Sequence, residues 1–426
     1  MSVLKQRTYD FLRSIDMHPE QTVIEKTADD IISEMNRGLC GEESSIAMIP
    51  TFISASAEAR DNEPVIVVDA GGTNFRIGLC EFEKGRPIFS DVNKSKIPGS
   101  TAEIDADEFF NEIADKILPY TAKSSRIGFC FSYPAEILPN HDGKILALNK
   151  ELRVNNAWGS LIGSSLKKKL SAKGVNNNPS FVVLNDTTSA LLGGIANLGL
   201  DDSGGIAGLV LGTGFNTSYV EKGANILKLK NAEDMIINCE SGNFSGAFRG
   251  KADFMTDRSS EIPYDHLLEK MLGGAYMGSL ITNTVKLASK EGLISKNFDT
   301  IPIAFTAPDM DEFMRGKKNR LALMCTHKDS AVLQNIIDAA YERAARLVCA
   351  NIASLCLQAD GGKSERKPFC VIAEGSSFYN SLLFYGKLKR LTNEFIEEKM
   401  RRYIEFFHTE NLTLSGAALS VFTAQK

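Results

Sequence analysis

The sequence predicts an α/β protein built from two domains, and three observations support this prediction. The chain has 426 residues, which is more than one hydrophobic core usually accommodates. Segments with the apolar pattern of strands alternate with segments of helical spacing, and this alternation indicates a largely parallel sheet. A strand–turn–strand pattern occurs once in each half of the chain, which indicates a duplicated domain whose two copies face each other across a cleft.

The first half of the chain contains an ordered series of elements. Residues 1 to about 60 are predicted to be helical, because apolar residues recur at helical spacing in TVIEKTADDIISEMNRGL. The strands predicted after them are VIVVDA, FRIGLCEF, RIGFCFS and FVVLND. The predicted helices run through DEFFNEIADKIL, WGSLIGSSLKKKL and TSALLGGIA.

The second half begins with GIAGLVLGTGFNTSYVE and continues with long helical segments near 265–291 and 329–358. Its first strand pair repeats the pattern of VIVVDAGGTNFRIGLCEF: an apolar strand, a turn of Gly and Thr with an Asn shortly after, and a second strand. Glycines let another group approach the backbone closely, and such turns expose N–H groups that hold phosphates. Either turn alone could be an ordinary hairpin, but the repeat favours two turns that share one polyphosphate.

Composition excludes several classes of function. A net charge of −5 argues against a dedicated nucleic-acid binder, which needs a basic surface. The eight cysteines include no C-x-x-C pair and are typical of reduced thiols in a cytoplasmic protein. The charged start MSVLKQRTYDFLRSID resembles neither a signal peptide nor a membrane anchor, and no apolar stretch approaches the length of a membrane span. We therefore expect a cytoplasmic protein without a membrane partner.

Polar residues stand at the ends of predicted strands, where ligands of open α/β sheets bind. Ser132 in GFCFSYP and Asn185 and Asp186 in FVVLND have such positions. Further candidates are Asn149 and Lys150 in GKILALNKEL, Glu240 in IINCESG and Glu269 in HLLEKMLGG. Taken singly, each has an ordinary alternative, since an Asp after a strand often caps a helix and a Glu on a helix is usually solvated. As a set, carboxylates and amides suit a polyol, because both groups hydrogen-bond ring hydroxyls.

Seven motifs in order resemble those of the hexokinase family, and the resemblance runs almost end to end. DAGGTNFR resembles the first phosphate motif of that family, FSYP its sugar-binding strand end and LNDTTSALLGG the segment of its catalytic aspartate. LGTGFN resembles the second phosphate turn, and CESGNFSG and LEKMLGGAYMG the segments of the two sugar-binding glutamates. EGSSFYN, the seventh motif, resembles the nucleotide-side motif. In addition to these seven, the segment MNRGLCGEESSIAMIPTFIS resembles the N-terminal segment of the large domain.

The resemblance implies a role for each matching residue on the sugar side. Asp186 would be the base for the attacking sugar hydroxyl, with Lys150 and Arg76 as further catalytic residues. The residues implied to bind the sugar are Ser132, Asn149, Lys150, Asn185, Asp186, Asn216, Glu240 and Glu269. Phosphoryl transfer depends mainly on positioning and on charge stabilisation, so the base need not have a strongly raised pKa.

The resemblance also implies ATP and Mg²⁺ as cofactors. Asp69 would face the Mg²⁺ ion through water, and Arg76 would bring positive charge to the transferring phosphoryl group. The residues implied to bind the nucleotide are Asp69, Gly71, Gly72, Thr73, Asn74, Arg76, Thr213, Gly214, Gly375, Ser376 and Gly416.

The sequence departs from the family pattern at several positions. Asn149 replaces Thr, Phe215 replaces Ser in the second phosphate turn, Ser241 replaces the Trp beside Glu240, and Glu374 replaces Asp. In ENLTLSGAAL, Leu412 and Leu414 replace glycines and Ser415 replaces Lys of a Gly-rich loop on the nucleotide side. The sugar side is therefore better supported than the nucleotide side.

Taken together, the resemblance implies two actin-like (ribonuclease H-like) α/β domains with an interdomain cleft. We expect a small domain of residues 63–186 plus 415–426 and a large domain of residues 1–62 plus 187–414. The expected function is an ATP-dependent hexokinase that phosphorylates a hexose, glucose at its 6-hydroxyl by preference, as a monomer or homodimer. The alternative is a non-catalytic sugar sensor of this family or an actin-like nucleotide-binding protein, although retention of Asp186 with Ser132, Glu240 and Glu269 argues against both.

Overall fold

The computed structural model describes residues 3–56, 58–72, 74–148, 152–199 and 203–423 of the chain. Within them, helices and two mixed sheets form a layered α/β structure. The helices are α1 (Val3–Ser14), α2 (Ile24–Cys40), α3 (Ala106–Ile117), α4 (Ile162–Ala172), α5 (Asp186–Leu198), α6 (Lys251–Arg258), α7 (Glu269–Leu272), α8 (Gly274–Lys290), α9 (Ala307–Met314), α10 (Arg320–Met324), α11 (His327–Gln358), α12 (Ser376–Tyr379), α13 (Tyr385–Thr392) and α14 (Leu412–Thr423).

The strands lie in two groups along the sequence. They are β1 (Ile49–Pro50), β2 (Val65–Gly71), β3 (Asn74–Glu83), β4 (Arg86–Lys96), β5 (Ile104–Asp105), β6 (Arg126–Phe131), β7 (Ala135–Ile137), β8 (Gly143–Ile145), β9 (Val154–Asn155), β10 (Ser180–Leu184), β11 (Ile206–Leu211), β12 (Phe215–Glu221), β13 (Met235–Asn238), β14 (Phe369–Glu374) and β15 (Ile404–Phe407). Strands β5 and β9 form a short parallel pair, and β7 and β8 a short antiparallel pair.

The first sheet has five strands in the order β10-β6-β2-β3-β4. Strands β10, β6 and β2 are parallel, whereas β3 and β4 pair antiparallel with their neighbours. Side chains of β2 alternate between two cores: Ile66 and Val68 pack with α3 and α4, and Val65 and Val67 pack on the opposite face. Both faces are therefore covered, which explains why β2 is apolar along almost its whole length.

The second sheet has six strands in the order β1-β13-β12-β11-β14-β15. Strands β11, β14 and β15 are parallel, and β1, β13 and β12 are antiparallel to their neighbours. The long helix α11 contributes buried side chains from Val332 to Cys356 to the core on one face of this sheet. Both sheets are thus mixed, and the prediction of a largely parallel sheet is wrong because each half begins with an antiparallel hairpin.

Helices α5 and α14 form a central layer between the two sheets. One core cluster joins Leu191 and Leu192 of α5 and Leu419 of α14 to Val67 of the first sheet and Ile372 of the second. Small residues let the two helices touch through their backbones. A Cβ on Gly193 would collide with the carbonyl oxygen of Leu412, and one on Gly416 with that of Ser189. The position of α5 therefore depends directly on that of α14.

Three further differences from the expected elements have physical causes. Helix α2 ends at Cys40 with Gly41 as a left-handed C-cap, and residues 41–56 and 58–60 form loops and strand β1, so the helical part is shorter than expected. The segment 265–291 is broken at Gly273, which separates α7 from α8. The expected domain boundary at 414/415 falls inside α14, because Leu412 to Ser415 already continue into that helix. The domain limits therefore remain a proposal.

Within the described ranges, no helix is both long enough and apolar enough to cross a lipid bilayer. All eight cysteines lie in these ranges, and each is a free thiol.

We predict that Gly416→Ala destabilises the protein by about 1 to 3 kcal/mol, because the added methyl group forces α14 away from α5. The denaturant midpoint and the slope of the transition measure this change. Gly386→Ala is the matched control, since a Cβ at Gly386 meets no heavy atom within 4 Å. That variant should keep its stability or gain less than about 1 kcal/mol. Equal midpoints for both variants would contradict the close helix contact.

Candidate active site

Three polar residues end neighbouring parallel strands of the first sheet. The register pairs Asp69 of β2 with Cys130 of β6, and Cys130 with Leu184 of β10. Ser132 and Asp186 each follow two residues after this level, and the Ser132 N–H donates to the carbonyl of Ala70 at 3.1 Å. The carboxyl ends of these strands therefore bring Asp69, Ser132 and Asp186 to one edge of the sheet, as the sequence predicted.

Asp186 is the first residue of α5. The Asn185 side chain is its N-cap and accepts hydrogen bonds from the Thr187 N–H at 2.9 Å and from the Thr187 hydroxyl at 2.7 Å. The sequence offered Asp186 as a possible cap of this helix, but in the structure Asn185 has the capping role. The Asp186 carboxylate is partly exposed and accepts from the Thr187 N–H at 2.8 Å. Asn185 therefore fixes the start of the helix on which Asp186 stands.

The environment of Asp186 raises its pKa to about 7. Burial by the surrounding protein is the largest cause, and the negative charges of Asp69 and Glu240 add to it. Hydrogen bonds from the Thr187 N–H and the Ser132 hydroxyl oppose the increase, because they stabilise the charged form. The pKa is thus raised well beyond what the sequence suggested a base would need.

A group of amides connects the second sheet to Glu240. The Asn238 amide donates to Glu240 Oε1 at 2.8 Å, and Asn216 donates to Asn238 Oδ1 at 2.8 Å. Asn216 Oδ1 in turn accepts from the Ser241 N–H at 3.2 Å. Glu240 has a left-handed backbone conformation, with φ of 59°, which is uncommon for a residue with a side chain. Burial raises the Glu240 pKa, and the bond from Asn238 limits the increase.

Glu269 interacts electrostatically with Glu240 and is held by the backbone of the second turn. Its Oε2 atom accepts from the Phe215 N–H at 2.9 Å. Gly214 leaves the space for this carboxylate, since a Cβ there would overlap Glu269 Oε2. Burial raises the Glu269 pKa; the Phe215 N–H and His266 lower it, and the charge of Glu240 raises it further. His266 interacts electrostatically with both glutamates, and the sequence analysis missed it.

The first glycine turn joins β2 to β3. Gly71 pairs with Asn74, and Gly72 between them has φ of +55°. A Cβ on Gly71 would meet Ser132 Oγ at 2.5 Å, whereas no heavy atom lies within 4 Å of a Cβ on Gly72. The Tyr133 hydroxyl donates a hydrogen bond to the Gly72 carbonyl and thereby restrains the turn. Gly72 is exposed, and the role of this turn in binding phosphate stays a prediction.

The second glycine turn joins β11 to β12. It is closed by the Gly212 N–H, which donates to the Gly214 carbonyl at 3.0 Å. The Gly274 N–H and the Ser377 hydroxyl both donate to the Gly212 carbonyl at 2.9 Å. Thr213 is exposed at the tip of the turn. The turn is thus fastened to both α8 and α12.

Gly375 and Ser376 lie beside this second turn. Gly375 has φ of 113°, and a Cβ there would collide with the Leu211 carbonyl oxygen, so only glycine fits. Ser376 is exposed at the start of α12. The structure therefore brings the predicted nucleotide residues Thr213, Gly214, Gly375 and Ser376 together.

Arg76 is already engaged by Asp69. Its Nε and Nη2 atoms donate to Asp69 Oδ2 at 2.9 and 2.5 Å, and Nη2 also donates to Thr413 Oγ1 at 2.7 Å. Thr413 Oγ1 donates to Asp69 Oδ2 at 3.2 Å, and Arg76 Nη1 reaches Asn411 Oδ1 at 3.5 Å. The first turn of α14 thus completes the Asp69–Arg76 pair. Sequence reasoning missed Asn411 and Thr413, because no motif joins residues 335 and more positions apart.

Other residues at which the sequence departs from the family pattern also have identifiable contacts in the structure. Burial raises the Glu374 pKa, while His408 and Arg76 lower it, so Glu374 lies near the Arg76 group. Ser241 shares a hydrogen bond with Thr217, with 2.5 Å between their hydroxyl oxygens. Leu412 and Leu414 are buried between α5 and the first sheet. The residues that replace glycines here begin a helix instead of forming a loop.

Four residues that the sequence analysis assigned to the site are not among the site residues described above. Gly416 is buried against Ser189 and has a packing role in the helix contact. Thr73, Asn149 and Lys150 lie outside the described residues.

The described part of the chain holds no group of three His, Cys, Asp or Glu side chains arranged for a metal ion. Asp69 offers a single carboxylate at the first phosphate turn, beside a backbone that a polyphosphate could reach. Mg²⁺ in phosphoryl-transfer sites is usually held by one or two carboxylates together with substrate phosphates and water. The residues present therefore fit an Mg²⁺ ion that arrives with a nucleotide.

Each of the two mixed sheets carries a glycine turn, and carboxylates and amides lie near these turns. The chain thus has the fold of the two-domain actin-like proteins. The chain belongs to the hexokinase family. Two family models described as hexokinase match it, one over residues 9–195 and the other over residues 206–423. The order of the two matches agrees with the order of the motifs in the sequence.

Curated relatives are similar over most of this chain. Hexokinase-1 of Schizosaccharomyces pombe is 24% identical across 93% of this chain and 87% of its own length. Hexokinase-2 of Oryza sativa is 25% identical, with the same coverage of 93% and 87%. Human hexokinase-3 is 26% identical across 75% of this chain but only 37% of its own length.

Solved structures confirm the fold. A hexokinase from Schistosoma mansoni complexed with glucose matches with a TM-score of 0.80, 20% identity and 98% coverage of both chains. Another hexokinase crystal structure also gives a TM-score of 0.80, with 20% identity and 99% coverage of both.

We predict that the Asp186→Asn variant is more stable than the wild-type protein at pH 8, and by a larger margin than at pH 5. The folded pKa of about 7 lies above the unfolded value of 3.8, so the wild-type protein loses stability as pH rises between these values. The gain at pH 8 should be roughly 2 to 4 kcal/mol, because each pKa unit corresponds to about 1.36 kcal/mol. Denaturant midpoints at both pH values measure it, with the surface variant Asp107→Asn as control. A variant that is less stable than wild type at pH 8 would contradict the raised pKa.

Proposed function

We propose that this protein is a hexokinase that transfers the terminal phosphoryl group of Mg-ATP to a hexose, with glucose at its 6-hydroxyl as the expected acceptor. One observation carries the proposal. Asp186, whose pKa is about 7, interacts with Asp69 on the phosphate side and with Glu240 on the sugar side. A carboxylate between two such groups is placed to act on a hydroxyl that faces a phosphate.

Asp186 acts as the general base in this proposal. Its carboxylate accepts the proton of the sugar hydroxyl while the hydroxyl oxygen forms a bond to the terminal phosphorus. The bond from that phosphorus to the bridging oxygen breaks, and ADP leaves with the electron pair. A base with a pKa close to the working pH is ionised often enough and still basic enough to take the proton. The Ser132 hydroxyl keeps the carboxylate oriented through its hydrogen bond.

The side chains proposed to bind the sugar are held in position by hydrogen bonds within the protein. Glu240 is held by Asn238, Glu269 by the Phe215 N–H, and Asn216 by its bonds to Asn238 and Ser241. The remaining carboxylate oxygens accept hydrogen bonds from the ring hydroxyls of the sugar. A ligand without those hydroxyls would leave these buried groups unpaired. Ser132 and Asn185 are proposed sugar contacts, as are Asn149 and Lys150 outside the described ranges.

The phosphates are held by the two glycine turns. Gly71, Gly72, Thr73 and Asn74 would contact them from one side, and Thr213, Gly214, Gly375 and Ser376 from the other. Asp69 would hold Mg²⁺ through water, and the ion would supply positive charge to the phosphate oxygens. Arg76 offers a second positive charge, and its ion pair with Asp69 keeps the guanidinium at the first turn. Gly416 supports the site through α14 instead of contacting phosphate.

We also propose a cytoplasmic location, which the free cysteines support, and action on hexose and Mg-ATP as a monomer or homodimer without nucleic-acid or membrane partners.

The first test is sugar-dependent ADP release from Mg-ATP with glucose, fructose and mannose, for wild type and Asp186→Ala. We expect turnover that requires sugar and falls at least 1,000-fold in Asp186→Ala, since the base is lost while the phosphate turns remain. A cooperative denaturant transition of the variant should show that it is folded. Glucose binding without turnover in the wild type would instead identify a sugar sensor.

We predict that kcat/KM for the sugar rises with pH and levels off above about pH 7. Asp186 accepts a proton only when it is ionised, so each pH unit below its pKa of about 7 should cost about tenfold. Initial rates at saturating Mg-ATP between pH 5.5 and 8.5 measure the profile. A profile that is flat down to pH 5.5 would rule out Asp186 as the titrating base.

A further inference from the structure

A cavity of about 410 Å³ adjoins the second glycine turn, a volume in the range of small-molecule sites. Gly274 and Ser377 line its mouth, and both donate hydrogen bonds to the Gly212 carbonyl of that turn. Met277, Pro308 and Phe384 provide apolar walls. A nucleotide with its phosphates at the turn would thus place its nucleoside in this cavity.

Asp311 of α9 supplies a carboxylate to the cavity lining. Ser381 donates a hydrogen bond to Asp311 Oδ1 at 3.2 Å. No hydrogen bond from another side chain of the described residues reaches Asp311 Oδ2. Tyr341 also lines the cavity, and its pKa is raised to about 12, first by burial and then by the negative charge of Asp311. Burial raises the Asp311 pKa, and the Ser381 bond and the positive charge of Arg315, another lining residue, lower it. The Oδ2 atom of this carboxylate still has acceptor capacity for a ligand.

Other polar groups line the same cavity, among them the charged side chains of Glu312, Arg315 and Lys317 and the amide of Asn380. Asn380 is exposed, and its amide can both donate and accept. The cavity thus combines apolar walls for a flat ring with a carboxylate and an amide for its edge. This chemistry suits a purine base.

We propose that Asp311 reads the base of the donor nucleotide and that guanine nucleotides are better donors than adenine nucleotides. Guanine presents N1–H and N2–H₂ side by side, and both can donate to one carboxylate. Its O6 atom can accept from the amide of Asn380. Adenine presents the N6–H₂ donor beside the lone pair of N1, and this lone pair would face a carboxylate oxygen and repel it. Unpaired buried polar groups are a strong basis for discrimination.

This inference rests on the proposed function and refines its donor. ATP remains a donor, but a weaker one than GTP. Sugar recognition and the role of Asp186 are unaffected.

The experiment measures sugar phosphate formation with GTP, ITP, ATP and 2′-deoxy-ATP for wild type and Asp311→Asn. We expect kcat/KM for GTP to exceed that for ATP at least tenfold, with ITP between them because it lacks the N2 amino group. Asp311→Asn should reverse this order, because an amide can donate to one adenine position and accept from N6–H₂. The KM for the sugar should stay within twofold, which a general loss of structure would not allow.

Asp338→Asn is the matched control. Asp338 is a partly exposed carboxylate that pairs with Lys387 and lies outside the cavity lining. It should leave the GTP to ATP ratio unchanged within twofold.

Two results would overturn the inference. One is a wild-type preference for ATP that Asp311→Asn does not alter. The other is an equal loss for all purine triphosphates in Asp311→Asn together with poor use of 2′-deoxy-ATP by the wild type, which would assign Asp311 to the ribose.

Calorimetry with GDP and ADP separates this inference from the proposed function. If no donor supports sugar phosphorylation, the proposed function fails, but tighter binding of GDP than of ADP, lost in Asp311→Asn, still supports the base-reading role. Tighter binding of ADP, or no binding of either nucleotide, overturns it.

Discussion

The close contact between α5 and α14 is the constraint on which the rest of the structure depends. Gly193 and Gly416 let the two backbones touch, and the Ser189 hydroxyl donates to the Thr413 carbonyl at 2.6 Å. The first turn of α5 carries Asp186, while the first turn of α14 carries Thr413, which contacts Asp69 and Arg76. A shift between these helices would therefore separate Asp186 from Asp69 and Arg76.

The site contains several carboxylates, and three of them each have a hydrogen-bond or ion-pair partner that stabilises the negative charge. Asp69 is paired with Arg76, Glu240 with the Asn238 amide, and Glu269 with the Phe215 N–H. Burial and the negative charges of Asp69 and Glu240 raise the pKa of Asp186 to about 7. Preorganised carboxylates of this kind cost folding free energy, which explains why a stable large core surrounds them.

Sequence patterns predicted strands β2, β3, β6, β10, β11 and β12 and the two glycine turns, because these features depend on local chain properties. They also predicted that Ser132 and Asp186 follow the ends of strands. Val65 to Val68 could only be a buried strand, and Asp186 had to follow one. The Asp69–Arg76–Thr413 group could not be predicted, since Thr413 reaches it only through the packing of α14. The same reason hid His266 and Asp311, which lie near the site through tertiary contacts and carry no motif. Antiparallel hairpins also share the apolar pattern of parallel strands, so sheet direction was missed.

The Ser189–Thr413 contact has a consequence for how the protein is made. The two residues are 224 positions apart, so α5 emerges from the ribosome long before its partner helix is synthesised. Until then, the face of α5 that receives α14 and the apolar surface of the first sheet are exposed, and such nascent surfaces tend to aggregate. Closing so long a segment of chain is also entropically slow. Chaperone dependence during synthesis would thus follow from the same contact that aligns the two halves of the cleft.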